Sequence, residues 1–239
     1  SLIAISKCLI ATDQLEKAEN ILKESIVWSR KRFGNFHPNV ARSLCSYAAF
    51  LEGLGNSGDA DKLYQEAKTI QETVMDTDGD IYSMALRSLG RLAQEKKDYR
   101  KAETYFTAAF SIFSRNPAIH MEDYVSNALS LAEFHQWEKQ PDKADSIYGV
   151  MGRVLEGKTF STLRAYRYFI LSRAWYFTQK KEYASADSLY LLYYHSLVNA
   201  SAQQSSSYTH LLLRKAINHY LWGQQAEAER FITEGITSI

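Results

Sequence analysis

The sequence predicts an all-α protein of the α-solenoid class, in which six consecutive pairs of helices stack along the chain. Three observations lead to this class. One short pattern occurs six times at a constant spacing of 42 residues, apolar residues recur at intervals of three and four, and the 239 residues contain only 3 prolines. Because one helical pair cannot bury its apolar stripe alone, repeated pairs are expected to bury it against their neighbours.

The recurring pattern is an alanine followed directly by an acidic residue and, four positions after the alanine, by a large apolar residue. In the stretch RKAETYFTAAF these are Ala102, Glu103 and Phe106. The six alanines are Ala18, Ala60, Ala102, Ala144, Ala186 and Ala228. A small residue also stands twelve positions before each alanine, in the order Ser6, Ala48, Gly90, Ala132, Ala174 and Ala216. Small residues facing large ones predict two closely packed helices in each repeat.

Each repeat is therefore predicted to contain a first helix, a tight turn, a second helix and a short link. The apolar residues of YSMALRSLGRLAQEKK and of KAETYFTAAFSIF recur at the α-helical period. Pro141 suits the first turn of a helix, and Asp13, with Glu16 three residues later, has the form of a helix N-cap. A single array is expected over residues 1–239, with repeats at about 1–35, 36–77, 78–119, 120–161, 162–203 and 204–239.

Composition and charge exclude several classes of partner. Lys plus Arg number 28 and Asp plus Glu 27, and neither half of the chain is strongly basic, so nucleic acid is not an expected partner. No apolar run reaches the roughly 18 residues of a membrane span, so no membrane insertion is expected. The opening SLIAISKCLI has neither an initiator Met nor a charged signal-peptide start, which indicates a fragment or a processed product. A cytoplasmic location is favoured, with any targeting segment outside this sequence.

This pattern resembles the tetratricopeptide repeat, in the 42-residue form of kinesin light chains rather than the common form of 34 residues. The likeness is strongest from His37 to Glu72, in HPNVARSLCSYAAFLEGLGNSGDADKLYQEAKTIQE, and the pattern covers essentially the whole chain. Repeats five and six depart from it at Arg173 and Lys215, where that family usually has leucine. The resemblance implies a right-handed superhelix whose first helices line a concave groove. It also implies a scaffold that binds a peptide or protein segment without catalysis or cofactors.

The family's groove positions correspond to columns of residues, spaced by 42, on the first helices. The candidate groove residues are Arg42, Cys45, Arg87, Arg91, Leu129, Glu133, Tyr168, Leu171, Trp175, His210, Leu213 and Arg214. Arginines in the first half and apolar residues in the second favour an extended segment that is acidic toward one end and apolar toward the other. Two alternatives remain open: Arg91 pairs with Glu133 or Glu52, and Trp175 lies partly in the core. The columns contain no Asn and no Lys, so the carboxylate clamp of some tetratricopeptide repeat domains is disfavoured.

Several signals that could indicate chemistry have simpler explanations. The stretch GLGNSG at 53–58 matches a dinucleotide-binding motif but follows a helical pattern, so a tight turn is predicted. No histidine belongs to a zinc motif, and His135 and His219 are expected to be packed side chains. Cys45 has no neighbouring His or Asp that would make it a nucleophile. No catalytic residue, metal site or cofactor is predicted. The polar stretch NASAQQSSS at 199–207 is expected to link repeats five and six.

The sequence therefore favours a protein-interaction scaffold over an enzyme. The alternative is a sensor or regulatory module cut from a larger bacterial signalling protein, which the clipped ends of the array favour. An enzyme would need a clustered set of acids and bases, and the sequence indicates none. Ile239 ends the last helix with no polar capping helix after it, so self-association through the terminal repeats is a further expectation.

Overall fold

The computed structural model describes residues 2–115, 117, 120–156, 164–199 and 206–237. In these ranges the chain forms twelve helices and no strand. The helices are α1 (Leu2–Ala11), α2 (Leu15–Phe33), α3 (Pro38–Gly53), α4 (Ser57–Thr73), α5 (Asp80–Glu95), α6 (Tyr99–Ser114), α7 (Met121–Trp137), α8 (Pro141–Leu155), α9 (Arg164–Gln179), α10 (Tyr183–Asn199), α11 (Ser206–Leu221) and α12 (Gln225–Thr237). The predicted fold class is confirmed, because each predicted repeat contributes one odd-numbered first helix and one even-numbered second helix.

Packing divides the chain into two compact units, Ser1–Leu131 and Ala132–Ile239. From α1 to α6 and from α8 to α12, each helix packs against the next one in sequence. Two pairs of first helices from successive repeats also touch, α3 with α5 and α9 with α11. Stacked repeats require such neighbour-to-neighbour contacts. The single array over 1–239 stays a prediction, and the predicted link at 199–207 lies largely outside the described residues.

Small residues on the first helices face large residues on the second helices, as predicted. A Cβ atom at Gly90 would lie 2.9 Å from two ring carbons of Phe106, closer than side chains approach in proteins. Ala102, at the recurring alanine position, is completely buried, and Phe106 is 2% exposed. Ala144 and Tyr148 are buried in the same way in the second unit. The recurring pattern of the sequence therefore builds the core between helices.

The turn inside each repeat has one left-handed residue at the same position. These residues, spaced by 42, are Asp13, Gly55, Lys97, Lys139, Lys181 and Gly223, with φ from 57° to 83°. The N–H of the following residue closes the turn, as Asp98 donates to the carbonyl of Ala93 at 2.9 Å. Gly55 belongs to GLGNSG, so the predicted turn is confirmed. The N-cap predicted at Asp13 is wrong, because the left-handed turn uses this residue and α2 begins after Gln14.

Other helix starts follow local sequence chemistry. Pro141 occupies the first turn of α8, as predicted, where the missing N–H costs nothing. The side chain of Asn56 caps α4 by accepting from the N–H of Asp59. Asp98 caps α6 in the same way by accepting from the N–H of Lys101.

Two histidines are buried at equivalent positions of the second unit, as predicted. His135 and His219 are 4% and 6% exposed. The Nδ1 atom of each contacts a glutamine Oε1 in the following turn, Gln140 at 3.1 Å and Gln224 at 2.6 Å. The Nε2 atom of His219 also lies 3.0 Å from the carboxylate of Asp187. These side chains fasten turns to the core.

Candidate functional site

In the first unit, three arginines on α3 and α5 form what we call the arginine face: Arg42, Arg87 and Arg91. Arg42 donates to the carboxylate of Asp80 at 3.2 Å, which joins the two helices. Arg91 lies 3.0 Å from the carboxylate of Glu52, so that alternative for Arg91 is confirmed. Arg42 and Asp80 are both about half exposed, and such exposed ion pairs stabilise a fold by only about 0–1 kcal/mol, whereas Glu52 is only 14% exposed.

Arg87 differs from its two neighbours, because it has an amide rather than a carboxylate as its partner. Its guanidinium donates to Oδ1 of Asn127 at 3.4 Å. Asn127 is buried and donates in turn to the hydroxyl of Ser83 and the carbonyl of Ala109. Burial, and then the nearby charge of Arg91, lowers the pKa of Arg87. In the described part of the chain Arg87 therefore has a charge that no direct ion pair neutralises.

Two predicted groove residues of this unit lie in the core. Cys45 is completely buried, and burial raises the pKa of its thiol to about 12. Leu129 is 9% exposed. The prediction that Cys45 lines a groove is corrected, because this side chain lies in the hydrophobic core of the first unit and has no accessible surface. A column of equivalent positions cannot reveal this difference, since the exposure of each position depends on the side chains around it.

In the second unit, residues of α9 and α11 form what we call the aromatic face: Tyr168, Leu171, Trp175, His210, Leu213 and Arg214. Tyr168 is 49% exposed and Leu213 is 54% exposed. The guanidinium of Arg214 lies 4.0 Å from the centre of the Trp175 ring. Trp175 and Leu171 are half-buried, so the alternative that Trp175 lies partly in the core is also confirmed. The structure thus brings apolar, aromatic and cationic groups together on two adjacent helices.

Arg214 sets the electrostatics of the aromatic face. Its Nε donates to Nε2 of His210 at 3.3 Å, which requires that nitrogen to be unprotonated. Burial, and then the charge of Arg214, lowers the pKa of His210. Burial raises the pKa of Glu133, while the hydrogen bond from Ser172 and the charge of Arg214 oppose that rise. Glu133, a predicted groove residue, keeps part of its surface open to solvent.

A column of serines, which the groove assignment omits, also contributes to these faces. Its members, spaced by 42 on the first helices, are Ser46, Ser88, Ser130 and Ser172. Ser88 accepts from Arg91 at 3.2 Å, and Ser172 donates to Glu133 at 3.1 Å. The repeat spacing could have revealed this column. The repeat spacing does not predict Asp80 as the partner of Arg42, because the equivalent residue of the preceding repeat is Pro38.

The described residues contain no group of three or more His, Cys, Asp or Glu that could hold a metal ion. Of the 2 cysteines, Cys8 is exposed and Cys45 is buried, and both are free thiols. Among the described helices, none has the length and apolar character needed to cross a membrane.

Residues 44–115 match the family model described as Tetratricopeptide repeat. Over these residues the match confirms the predicted type of repeat. A curated relative, Amyloid protein-binding protein 2 of Rattus norvegicus, is 29% identical over 69 residues. The aligned stretch is 29% of this chain and only 12% of that protein, and the mouse protein of the same name matches equally.

Solved structures match over nearly the whole chain. BtubC (BKLC) from P. vanneervenii has a TM-score of 0.74 at 12% identity, covering 94% of this chain and 90% of that chain. The TPR-like repeats of a Podosopora anserina protein assigned as a kinesin light chain score 0.57 at 14% identity, covering 100% and 93%. YrrB, described as a TPR protein with an unusual peptide-binding site, scores 0.50 at 11% identity, covering 90% and 92%. At these identities the likeness shows the fold.

Proposed function

We propose that this array of tetratricopeptide repeats is a scaffold that binds an extended segment of a partner polypeptide on its first helices, without catalysis of its own. The aromatic face is the main proposed contact, and the arginine face is a second, charged one. One observation carries the proposal: Tyr168 and Leu213 are about half exposed on the same two helices that hold the stacked Trp175 and Arg214.

The side chains of the aromatic face are of the types that dominate binding energy. Tryptophan, tyrosine and arginine are enriched among the few interface residues that cost about 2 kcal/mol or more when truncated. The face is also held in place from beneath, since Phe169, Ile170 and Leu212 of the same helices are buried. A preorganised face loses less entropy on binding, which favours affinity.

The arginine face supports a weaker role in recognition. An acidic segment would have to displace Asp80 from Arg42 and Glu52 from Arg91. Because the pair of Arg42 with Asp80 is exposed and contributes only about 0–1 kcal/mol, its exchange is nearly neutral, whereas Glu52 is largely buried. Arg87 needs no exchange with a carboxylate, so it is the strongest candidate to attract an acidic residue. An acidic segment is the proposed ligand of the arginine face, and an apolar segment is the proposed ligand of the aromatic face.

The comparisons support this class of function without naming the partner. YrrB has a peptide-binding site in its own TPR fold, which favours a peptide over a small molecule here. The curated relative is named for binding amyloid protein, and the aligned stretch covers 12% of it. A polypeptide ligand therefore agrees with both names.

A display library of random peptides selected on the purified protein would supply ligands for the test. Affinity would then be measured by fluorescence anisotropy for the protein and for a triple variant, Tyr168→Ala, Trp175→Ala and Leu213→Ala. We expect the variant to lose at least about a hundredfold in affinity, since three exposed anchors are removed.

The matched control is a double variant, Val27→Ala and Leu191→Ala, which truncates apolar side chains of 67% and 44% exposure on second helices. It should bind as the unaltered protein does. Circular dichroism and the melting temperature would establish that both variants are folded. Equal losses in the two variants, or no loss in the triple variant, would refute the proposal.

A further inference from the structure

The second unit contains a cavity of about 380 Å³ between α8, α9 and α10. Gly149 and Gly152 of α8 form one wall, and Phe169 of α9 with Leu189 and Leu192 of α10 form others. This volume lies within the range of small-molecule pockets, about 300–1,000 Å³. None of these residues belongs to the aromatic face, so the cavity is independent of the proposed polypeptide site.

The cavity exists because α8 has glycine at two positions where other second helices have larger side chains. At the position of Gly152 the other repeats have Ile26, Lys68, Phe110, Tyr194 and Ile236. At the position of Gly149 they have Lys23, Gln65, Thr107, Leu191 and Thr233. Residues three apart lie on one face of a helix, so the two glycines remove adjacent side chains and leave one recess.

Two guanidinium groups line this recess, from Arg153 on α8 and Arg173 on α9. Neither group takes part in the ion pairs found among the described residues of this unit. The comparison with repeat six explains why Arg173 is unneutralised. Lys215, one repeat later, pairs with Asp187 at 3.2 Å. The carboxylate equivalent to Asp187 is that of Asp145, but this group pairs with Lys180 at 2.9 Å.

The guanidinium of Arg173 lies at the wall of the cavity, next to two aromatic rings. Its guanidinium lies 5.7 Å from the ring centre of Phe169 and 5.5 Å from that of Phe177. Its Nε is buried and has no hydrogen-bond partner. A Cβ atom placed on Gly152 would be 3.4 Å from its Nη1, so the group lies directly against the recess. A cation among apolar walls attracts an anion more strongly than one in open water.

We propose that this recess binds an oxyanion, a carboxylate or phosphate, attached to a small apolar or aromatic group. The oxyanion would accept hydrogen bonds from Arg173 and Arg153, because a planar guanidinium offers parallel donors to such groups. The apolar part would contact Phe169, Leu189 and Leu192 where the glycines leave room. Among the lining residues that the structure describes, Glu156 is the one with a carboxylate, and its charge opposes this ligand.

The test measures binding by isothermal titration calorimetry with three aromatic probes of similar size: phenyl phosphate, benzoate and benzyl alcohol. We expect at least one anion to bind with a dissociation constant in the millimolar range or below. Benzyl alcohol, which has no charge, should bind at least about tenfold more weakly. Tighter binding of phenyl phosphate would identify a phosphate ligand, and tighter binding of benzoate a carboxylate ligand.

Four variants isolate the site. Arg173→Leu introduces the leucine that two other repeats have at the equivalent position, Leu89 and Leu131, so this variant should fold. It should bind the anion at least about tenfold more weakly. Gly152→Tyr copies Tyr194 of the next repeat and should fill the recess and abolish binding. Glu156→Gln removes the opposing charge and should tighten binding. Arg100→Leu, at an exposed residue of α6, removes the same charge elsewhere and should change nothing.

Four results would each overturn the proposal. The first is that neither anion binds in that concentration range, which would leave the two guanidiniums without a ligand of this class. Benzyl alcohol and the anions could bind equally, which would remove the role of charge. Arg173→Leu and Gly152→Tyr could both bind the probe unchanged, or Arg100→Leu could weaken it as much as Arg173→Leu does. If Arg173→Leu fails to fold, Gly152→Tyr and Glu156→Gln decide the question.

Discussion

The guanidinium of Arg214, on α11, lies 4.0 Å from the centre of the Trp175 ring, on α9, and forms a cation–π contact with it. The same group donates to His210 at 3.3 Å. A cation over tryptophan contributes about 0.5–1 kcal/mol at an exposed site. Arg214 therefore orients Trp175 and also controls the charge state of its neighbours on the aromatic face.

Removing this charge should shift two pKa values in the same direction. In Arg214→Ala the pKa of His210 should rise, because a nearby positive charge no longer opposes protonation. The pKa of Glu133 should rise further above its ordinary value, because its carboxylate loses an attractive charge. Both changes can be followed by NMR titration. Arg230→Ala, on α12, is the matched control and should leave both values unchanged.

The shifted pKa values of His210 and Glu133 make the stability of the fold depend on pH in opposite directions. The lowered pKa of His210 means that its contribution is present above the ordinary value of 6.5 and is lost as pH falls through the folded-state value. The raised pKa of Glu133 means that its contribution is present below the ordinary value of 4.5 and is lost as pH rises through the folded-state value. In Arg214→Ala, less stability should therefore be lost through His210 as pH falls. More stability should be lost through Glu133 as pH rises. An unchanged pH profile of the melting temperature would contradict this assignment.

The two thiols should react very differently with a thiol reagent such as DTNB. Cys8 is exposed, whereas Cys45 is buried and burial raises its pKa to about 12. One thiol should therefore react in the native protein and both in denaturant, because the thiolate is the reacting form. The variant Cys8→Ser should show no fast reaction. A fast reaction of Cys45 in that variant would mean that the thiol of Cys45 is accessible to solvent and not buried in the core.

The left-handed lysines of the turns are sites where stability can be gained. A non-glycine residue in this conformation costs about 1–2 kcal/mol, and glycine adopts it freely at some cost in chain entropy. We expect Lys97→Gly and Lys139→Gly each to raise the free energy of unfolding by about 0.5–1 kcal/mol, since Gly55 already holds the equivalent position. Urea denaturation would measure the gain.

Lys101→Gly, inside α6, is the control for the turn variants. It should lower the free energy of unfolding by about 1 kcal/mol, because glycine is a poor helix former. A loss of stability in all three variants would indicate that the turns tolerate lysine without strain.

Because Gly90 lies against the ring of Phe106, any larger residue at this position should lower the stability of the fold. Gly90→Ala gains helix propensity of about 1 kcal/mol but places a methyl group 2.9 Å from a buried ring. Overpacking a core costs about 1–3 kcal/mol, so we expect a net loss of stability. Adding Phe106→Leu should recover part of that loss by removing the ring. If the single variant were more stable than the unaltered protein, the close packing of α5 on α6 would be in doubt.

The repeat spacing was sufficient to predict the helix pairs, the turns and the facing of small on large residues. It failed at Asp13, because a capping sequence and a left-handed turn residue compete for one position and the turn geometry wins. It also failed at Cys45, whose burial depends on the core side chains that pack around it. The partner of Arg42 was equally inaccessible, since Asp80 has no equivalent in α3. Local patterns predict elements, whereas exposure and pairing depend on neighbouring helices.

The central claim, that the aromatic face binds a polypeptide, is tested most directly by comparing two tryptophans. Trp175 and Trp28 each have an arginine nearby, Arg214 at 4.0 Å and Arg32 at 5.5 Å, but Trp28 lies on the second helix α2. The dissociation constant of a selected peptide would be measured for Trp175→Ala and for Trp28→Ala. We predict a loss of at least about thirtyfold for the first and no change for the second. Equal affinities in the two variants would contradict the account.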